Sequence, residues 1–292
     1  MRRFLMTAAC LLIAVSALAS THSNGGDVNI RIDRDRELTR CDQIEVTFAG
    51  VKATVSEESL PVSSLRSLKL VAGRNGGIRV TASDGGYEVK ACTASALGNA
   101  SDVRVRLDGN EVSATGPDKD QWVGYFIVRA PRNASLDLAA QNGEVSVRDV
   151  SGTITARTQN GPLALKNVGG TIDGSAVNGP IAFSGGSGTV KLVATNGPIA
   201  VTLTGTDWAG GGVDAHTTNG PIALRVPRNF RSGVVAESQG RGPVSCKGDQ
   251  CPAARAEFAQ DEPMPRKLEF GTGPAMIRVS TVNGPVAVRQ TD

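Results

Sequence analysis

The chain has 292 residues, of which 35 are glycine, and its formal net charge is only +3. The apolar fraction of 40% is too high for a disordered chain, and the lack of a Gly-X-Y period excludes collagen. A net charge this small excludes a protein held on nucleic acid mainly by electrostatics, and the length allows one or two domains.

Residues 1–19 (MRRFLMTAACLLIAVSALA) predict an export signal peptide. Arg2 and Arg3 precede a nearly all-apolar run, and Ala17-Leu18-Ala19 has the small-x-small pattern of a cleavage site. We expect an exported protein of the periplasm, the cell surface or the medium; a retained anchor is the alternative. Cleavage leaves 29 basic and 28 acidic residues, a net charge of about +1, and no later segment is apolar enough to span a bilayer.

Four cysteines remain after the predicted cleavage: Cys41, Cys92, Cys246 and Cys251. An even number in an exported chain predicts two disulfides. Cys246 and Cys251 can close a tight loop, which leaves Cys41 to pair with Cys92. A zinc site of all four is the alternative, although such sites usually contain two short Cys pairs.

Asn-Gly pairs recur along the chain and predict a repeat protein. They begin at Asn142, Asn160, Asn178, Asn196, Asn219 and Asn283. The first four are 18 residues apart, and the next step is 23 residues. A second glycine-containing pattern follows each of the first Asn residues by nine positions, as in Ser151-Gly-Thr-Ile154, so each unit has two halves.

Large and small side chains alternate after each Asn-Gly pair, as Ile181 and Phe183 do around Ala182. This period of two predicts a strand with its large side chains in a core. A single unit cannot bury such a face alone, so we expect stacked units. The predicted fold is all-β: a mainly parallel, right-handed β-solenoid with two short strands in each 18-residue coil. The small residues form an outward stripe: Ala164, Ala182, Ala200 and Ala223.

The predicted solenoid occupies residues 128–292, after an irregular β-rich part at 20–127 that includes early coils. Asn and Gly tolerate a positive φ, which we expect at the corners of the coils. One column of Asn side chains predicts a structural amide ladder, with ligand binding as the alternative. Its members are Asn142, Asn160, Asn178, Asn196 and Asn219.

The segment from Val128 to Val201 resembles the bacterial "putative adhesin" family, secreted or envelope domains of unknown function. The resemblance lies in the x-Pro-x-x-Ala-x-Leu entry at Pro131, Ala134 and Leu136 and in the repeated N-G-x-I/L-x-V motif. It implies the right-handed, mainly parallel solenoid and a cell-surface or periplasmic location. It implies no catalytic residues.

An enzyme is the main alternative, because β-helices also include polysaccharide lyases and hydrolases. Glycoside hydrolysis needs two carboxyl groups about 5 to 9.5 Å apart. Asp173 and Asp214 lie in one predicted outward column, but Lys191 separates them, and such alternation of charge is an ordinary surface device. The sequence therefore predicts no catalytic residue.

An insertion lengthens the unit that contains Asp207 and Trp208. Insertions map to loops that often bind ligands, so Asp207, Trp208 and the outward-facing His216 are candidate ligand-binding residues. A Trp that covers the side of the solenoid is the alternative. No His or Cys neighbours His216 in sequence, so we predict no metal site and no cofactor.

These patterns predict a non-enzymatic, adhesin-like or scaffold protein of the bacterial envelope. We expect it to bind a polymer, a glycan or a protein, and no nucleic acid. The coil at Asn283–Val288 stops near the C-terminus, and an open strand edge there predicts end-to-end self-association.

Overall fold

The computed structural model describes residues 21–22, 28–32, 37–96, 102–117, 121–240, 242–251 and 266–291. The predicted signal peptide at residues 1–19 lies outside these residues. The strands form one small sheet and two sheets of 11 strands each.

The small sheet, sheet 1, is antiparallel throughout. Its strands are β1 (Thr21–His22), β2 (Val28–Ile32), β3 (Ile44–Phe48) and β4 (Val51–Ala53). A 3-10 turn at Cys41–Gln43 leads into β3.

Sheet 2 and sheet 3 are the two large sheets, and most of their strand pairs are parallel. Sheet 2, in spatial order, contains β24 (Lys267–Phe270), β22 (Gly233–Ser238), β25 (Ala275–Asn283), β20 (Ala209–Asn219), β18 (Ser187–Asn196), β16 (Gly169–Asn178), β14 (Ser151–Asn160), β12 (Ser135–Asn142), β6 (Leu68–Val71), β10 (Glu111–Thr115) and β9 (Arg104–Asp108). Sheet 3 contains β23 (Val244–Lys247), β26 (Val286–Thr291), β21 (Ile222–Pro227), β19 (Ile199–Leu203), β17 (Ile181–Gly185), β15 (Leu163–Lys166), β13 (Val145–Arg148), β7 (Ile78–Ser83), β11 (Trp122–Pro131), β8 (Glu88–Ser95) and β5 (Ser56–Leu60). The prediction of an all-β, mainly parallel fold is confirmed.

From β12 to β21 the chain places alternate strands in sheet 2 and sheet 3. Ile154 pairs with Ile172, its equivalent in the next unit, and Ile172 pairs with Val190. The 18-residue repeat is therefore the distance along the chain between neighbouring strands of one sheet. The two halves are unequal, because β14, β16 and β18 have 10 residues each and β13 and β15 only 4.

The core lies between sheets 2 and 3, where the large residue of each alternation points inward. Ile172 of sheet 2 is 2% exposed, and Ile181 of sheet 3 is 1% exposed. The small residues between them point outward, as the period of two predicts.

The positive φ expected at the corners is absent from the glycines of the six Asn-Gly pairs that begin at Asn142 to Asn283. They are required instead by close stacking: a Cβ on Gly179 would lie 2.1 Å from the Gly161 carbonyl oxygen of the neighbouring unit. Positive φ occurs in the other half of the unit, at Gly170 and Gly188. The glycine excess therefore has two separate steric causes.

The last unit in the sequence is not the last unit in space. Strand β25 lies between β20 and β22, and β26 lies between β21 and β23. The open edge predicted at Asn283–Val288 is therefore wrong, because the preceding unit of the sequence covers it. The prediction of end-to-end self-association loses its basis at this coil.

Antiparallel strands form three of the four edges of the large sheets. Strand β24 pairs with β22, β9 with β10, and β5 with β8. The fourth edge is β23, and a disulfide between Cys246 and Cys251 closes the loop that follows it. These edge strands have only four or five residues each, and short edges disfavour pairing with other chains.

Sheet 1 packs on the outer face of sheet 3, over the part of that sheet formed by β8 and β11. Val46 and Phe48 of sheet 1 form a second core with Val123, Tyr125 and Ile127 of β11. A disulfide joins Cys41 to Cys92 of β8 within this core, with a Cα–Cα distance of 5.3 Å. The two predicted cysteine pairs are thus at disulfide distance.

Candidate binding face

The outer face of sheet 2 carries charges of alternating sign. Asp173, Lys191, Asp214 and Arg278 occupy one in-register column on neighbouring strands. Further along this sheet, Arg157 Nη1 lies 2.9 Å from Asp137 Oδ1. Neighbouring opposite charges stabilise a sheet, so this face is electrostatically balanced. Asp173 and Asp214 remain separated by the strand that carries Lys191, as the sequence indicated.

The outer face of sheet 3 differs from that of sheet 2. The strands that run in space from β13 to β23 contain no Asp or Glu residue. Its middle column contains the predicted stripe of small residues, each half-buried between its neighbours except for the exposed serine at the end. In spatial order the column reads Ser146, Ala164, Ala182, Ala200, Ala223, Ala287 and Ser245. Side chains this short leave the sheet surface flat.

A second column on this face, two residues after the small one, carries only positive charge. We call it the basic column. In spatial order it reads Arg148, Lys166, Ser184, Thr202, Arg225, Arg289 and Lys247. Its five cations are exposed.

Three of these cations, Arg225, Arg289 and Lys247, are in register on adjacent strands. Neighbouring strands lie about 4.8 Å apart, so the three charges repel one another. Among the described residues, no carboxylate forms an ion pair with any of the five cations of the basic column. The column is an unbalanced line of positive charge on a flat surface.

A buried polar cluster borders this face where sheet 1 ends. Tyr125 Oη donates a hydrogen bond to Glu144 Oε1 at 2.5 Å, and Arg79 Nη2 donates to the same oxygen at 2.7 Å. Burial raises the pKa of Tyr125 well above its usual value, and the Glu144 carboxylate raises it further. Burial lowers the pKa of Arg79, but Tyr125 and Glu144 outweigh this, and the net shift is upward. The sequence analysis did not identify this cluster.

The candidate ligand-binding residue Trp208 lies inside the protein. Its side chain packs against Phe183, with ring centroids 6.3 Å apart, and the residue is only 5% exposed. The indole Nε1 donates to the Gly188 carbonyl at 2.9 Å, and the backbone N–H donates to Ser232 Oγ at 2.9 Å. The arrangement matches the alternative of a Trp that covers the side of the stack.

The other two candidates lie apart from each other and face different neighbours. Asp207 is exposed and forms a bidentate ion pair with Arg231, which lowers the pKa of the carboxyl group through their hydrogen bonds. His216 lies on the outer face of sheet 2, where its Nδ1 is 3.0 Å from Ser280 Oγ. The structure therefore does not bring Asp207, Trp208 and His216 into one site.

The Asn side chains form a ladder along one edge of the stack. Each Nδ2 donates to the Oδ1 of the preceding Asn, so all the amides point the same way. The hydrogen bonds run from Asn160 to Asn142, Asn178 to Asn160, Asn196 to Asn178, Asn219 to Asn196 and Asn283 to Asn219. Their lengths are 2.9–3.0 Å. The ladder continues to Asn75, whose Oδ1 accepts from Asn142 at 3.4 Å.

The cations of the basic column occupy the same position in five strand motifs of the sequence. In the motifs VSVR, LALK, IALR, VAVR and VSCK, a cation follows the second core-facing residue of the strand. The sequence analysis missed it because those units are not all consecutive. Their alignment requires the pairing of β21 with β26 and of β26 with β23.

In the described part of the chain, no helix has the length and apolarity needed to cross a membrane. The same residues contain no group of three or more His, Cys, Asp or Glu side chains placed to hold one metal ion.

The fold and this face define an all-β protein of two mainly parallel sheets with one flat, basic surface. No protein-family profile and no curated protein sequence matches the chain. Among solved structures, it is similar to a "putative adhesin" from Parabacteroides distasonis, with 11% identity and a TM-score of 0.43, over 82% of this chain and 97% of that one. It is also similar to a "putative adhesin" from Bacteroides fragilis, with 11% identity and a TM-score of 0.37, over 82% and 97% of the two chains.

A third similar structure is a "putative lipid binding protein" from Parabacteroides distasonis, with 9% identity and a TM-score of 0.29. The two chains are covered to 82% and 97%.

Proposed function

We propose that the protein is a non-enzymatic, adhesin-like or scaffold protein of the bacterial envelope that binds a polymer or a protein on the outer face of sheet 3. The observation that carries this proposal is the flat stripe of small side chains bordered by unpaired cations. A flat face several strands wide suits an extended partner, whereas small-molecule sites and active sites are usually concave.

The proposed scaffold is a right-handed β-solenoid that starts before residue 128. Strands β6 to β11 already belong to sheets 2 and 3, and the chain then alternates between these sheets. A parallel strand–crossover–strand connection is right-handed in nearly all proteins, which supports this hand. Residues 128–292 then form the regular repeats and their C-terminal cap.

Export is the second part of the proposal. Residues 1–19 have the pattern of a signal peptide, and the two disulfides would persist only in an oxidising compartment. The periplasm, the cell surface and the medium all meet this requirement.

A binding array of glycans and envelope components tests the proposal on the protein from residue 20 onward. The face variant is Ala182→Gln with Ala200→Gln, which adds uncharged bulk to the stripe. The matched control is Ser175→Gln with Val193→Gln, at half-buried outward positions of sheet 2.

We expect at least one array component to bind, and the face variant to weaken that binding by about tenfold or more while the control does not. An array without any bound component would overturn the proposal. So would turnover of a polysaccharide, or equal weakening by the two double variants.

A further inference from the structure

We propose that the basic column binds a linear, carboxylated polysaccharide that lies across the strands of sheet 3. This inference rests on the binding function proposed above and names the chemical class of the partner. The polymer would run along the stack, with its acidic groups over the cations and its sugar rings over the stripe of small residues.

The dimensions of the column fit a polymer rather than a single small anion. From Arg148 to Lys247 it crosses six strand-to-strand steps, a length of about 29 Å. The cations occur in two groups, Arg148 with Lys166 at one end and Arg225, Arg289 and Lys247 at the other. Ser184 and Thr202 lie between them and offer hydroxyl groups to a neutral sugar.

The charge pattern is specific to this face. On sheet 2 the column of Asp173, Lys191, Asp214 and Arg278 alternates in sign, which shows that opposite charges can be accommodated in register on this fold. On sheet 3 like charges face each other at Arg225 and Arg289, an arrangement that destabilises a sheet. A bound polyanion removes this repulsion, because each carboxylate pairs with a cation.

The neighbouring stripe determines how closely the polymer can approach. Ala182, Ala200 and Ala223 have only a methyl group above the sheet. A sugar ring can therefore lie near the backbone while its carboxylate reaches the basic column. Arginine and lysine both suit this task, and arginine can bind a carboxylate through two hydrogen bonds.

Two other polyanionic partners fit this face less well. Single-stranded nucleic acid is normally bound by stacking its bases on exposed aromatic side chains, and from β13 to β23 the outer columns of this face contain none. A membrane surface would need large apolar side chains that insert between lipids, whereas the stripe offers only methyl and hydroxymethyl groups.

The test measures binding of the chain from residue 20 onward to polygalacturonate by calorimetry, with fully methyl-esterified polygalacturonate as the uncharged counterpart. The column variant is Arg225→Gln with Arg289→Gln and Lys247→Gln. The matched control removes three exposed cations from sheet 2: Arg157→Gln, Lys191→Gln and Arg278→Gln. The two variants have the same net charge, so a difference in polymer binding reports where the cations lie and not how many there are, although the control also breaks the Arg157–Asp137 ion pair.

We expect polygalacturonate to bind and the esterified polymer to bind at least about tenfold more weakly. The affinity of the column variant for polygalacturonate should fall by at least about tenfold and should depend less on salt. The affinity of the control should stay within about twofold of that of the original protein. Removal of the repulsion should leave the unfolding temperature of the column variant no lower than that of the original protein.

Equal losses in the two variants, or equal binding of the two polymers, would overturn the inference. A column-dependent preference for single-stranded DNA or for phosphatidylserine vesicles would also overturn it. If polygalacturonate does not bind but an array component still binds through the Ala182 face, only this inference fails. If no array component binds at all, the proposed function fails with it.

Discussion

Tyr125 Oη donates a 2.5 Å hydrogen bond to Glu144 Oε1 across the boundary between the covered and the open part of sheet 3. Tyr125 belongs to the second core, under sheet 1, and Glu144 immediately precedes β13, where the open face begins. The Arg79 guanidinium completes the contact from β7. This cluster joins β11 and β7 to the residue that precedes the first regular strand of the open face.

Glu144→Ala should destabilise the protein by about 3 kcal/mol, because it leaves the buried Tyr125 hydroxyl and the Arg79 guanidinium without their acceptor. The side chain of Glu144 is only 9% exposed and that of Arg79 is 23% exposed. Urea unfolding measures the change. The matched control, Asp137→Ala, breaks the exposed pair with Arg157 and should change stability by less than about 1 kcal/mol. Similar losses in both variants would contradict the buried role of Glu144.

Gly179→Ala should cost about 3 kcal/mol or more, because the new Cβ would lie 2.1 Å from the Gly161 carbonyl oxygen and would force neighbouring units apart. Gly85→Ala is the control, since nothing lies within 4 Å of its added Cβ. Thermal unfolding of the two variants should differ by many degrees. Equal unfolding temperatures would show that the Asn-Gly glycines do not serve close stacking.

Strands β25 and β26 should exchange their amide hydrogens slowly although they lie near the C-terminus. They are paired on both sides, whereas β24 is an edge strand. Ile277 and Val279 are at most 1% exposed, and we expect stronger protection there than at Leu268. Hydrogen exchange followed by mass spectrometry compares the segments. Faster exchange in β25 than in β24 would mean that the last unit lies at the end of the stack.

Glu57→Gln should weaken the acid dependence of stability. The Glu57 carboxylate accepts a hydrogen bond from the Cys41 N–H at 2.8 Å and lies 3.1 Å from Lys90 Nζ. The Cys41 N–H, and secondarily Lys90, lower the pKa of Glu57 below 4.5 in the folded state despite partial desolvation. A carboxyl with a lowered folded pKa stabilises the protein above its unfolded pKa, and this contribution disappears as the pH falls through the folded pKa.

Urea unfolding between about pH 3 and pH 6 measures this effect, since the window contains the ordinary carboxyl pKa. Glu58→Gln, an exposed change on the same strand, is the control. We expect the loss of stability on acidification to be smaller in Glu57→Gln than in the control. Parallel curves for the two variants would show that the contact with Cys41 does not contribute.

The sequence alone determined the repeating architecture. The 18-residue spacing of the Asn-Gly pairs predicted which positions pair between units, as Asn160 does with Asn178. The alternation of large and small residues predicted that Ile181 and Phe183 point inward. Large apolar side chains on one face of a strand are removed from water only when that face packs against another sheet. Local, periodic information was sufficient for these features.

The tertiary structure alone decided how the end of the chain joins the stack and which charges share a face. Between residues 227 and 275 no regular repeat fixes the register, and the last unit enters between two earlier ones. That insertion brings Arg289 beside Arg225 and Lys247, and it gives Asn283 a place in the ladder next to Asn219. Which strands pair depends on the backbone hydrogen bonds that they form and on the apolar area that they bury. The order of the strands in a sheet therefore need not follow their order along the chain.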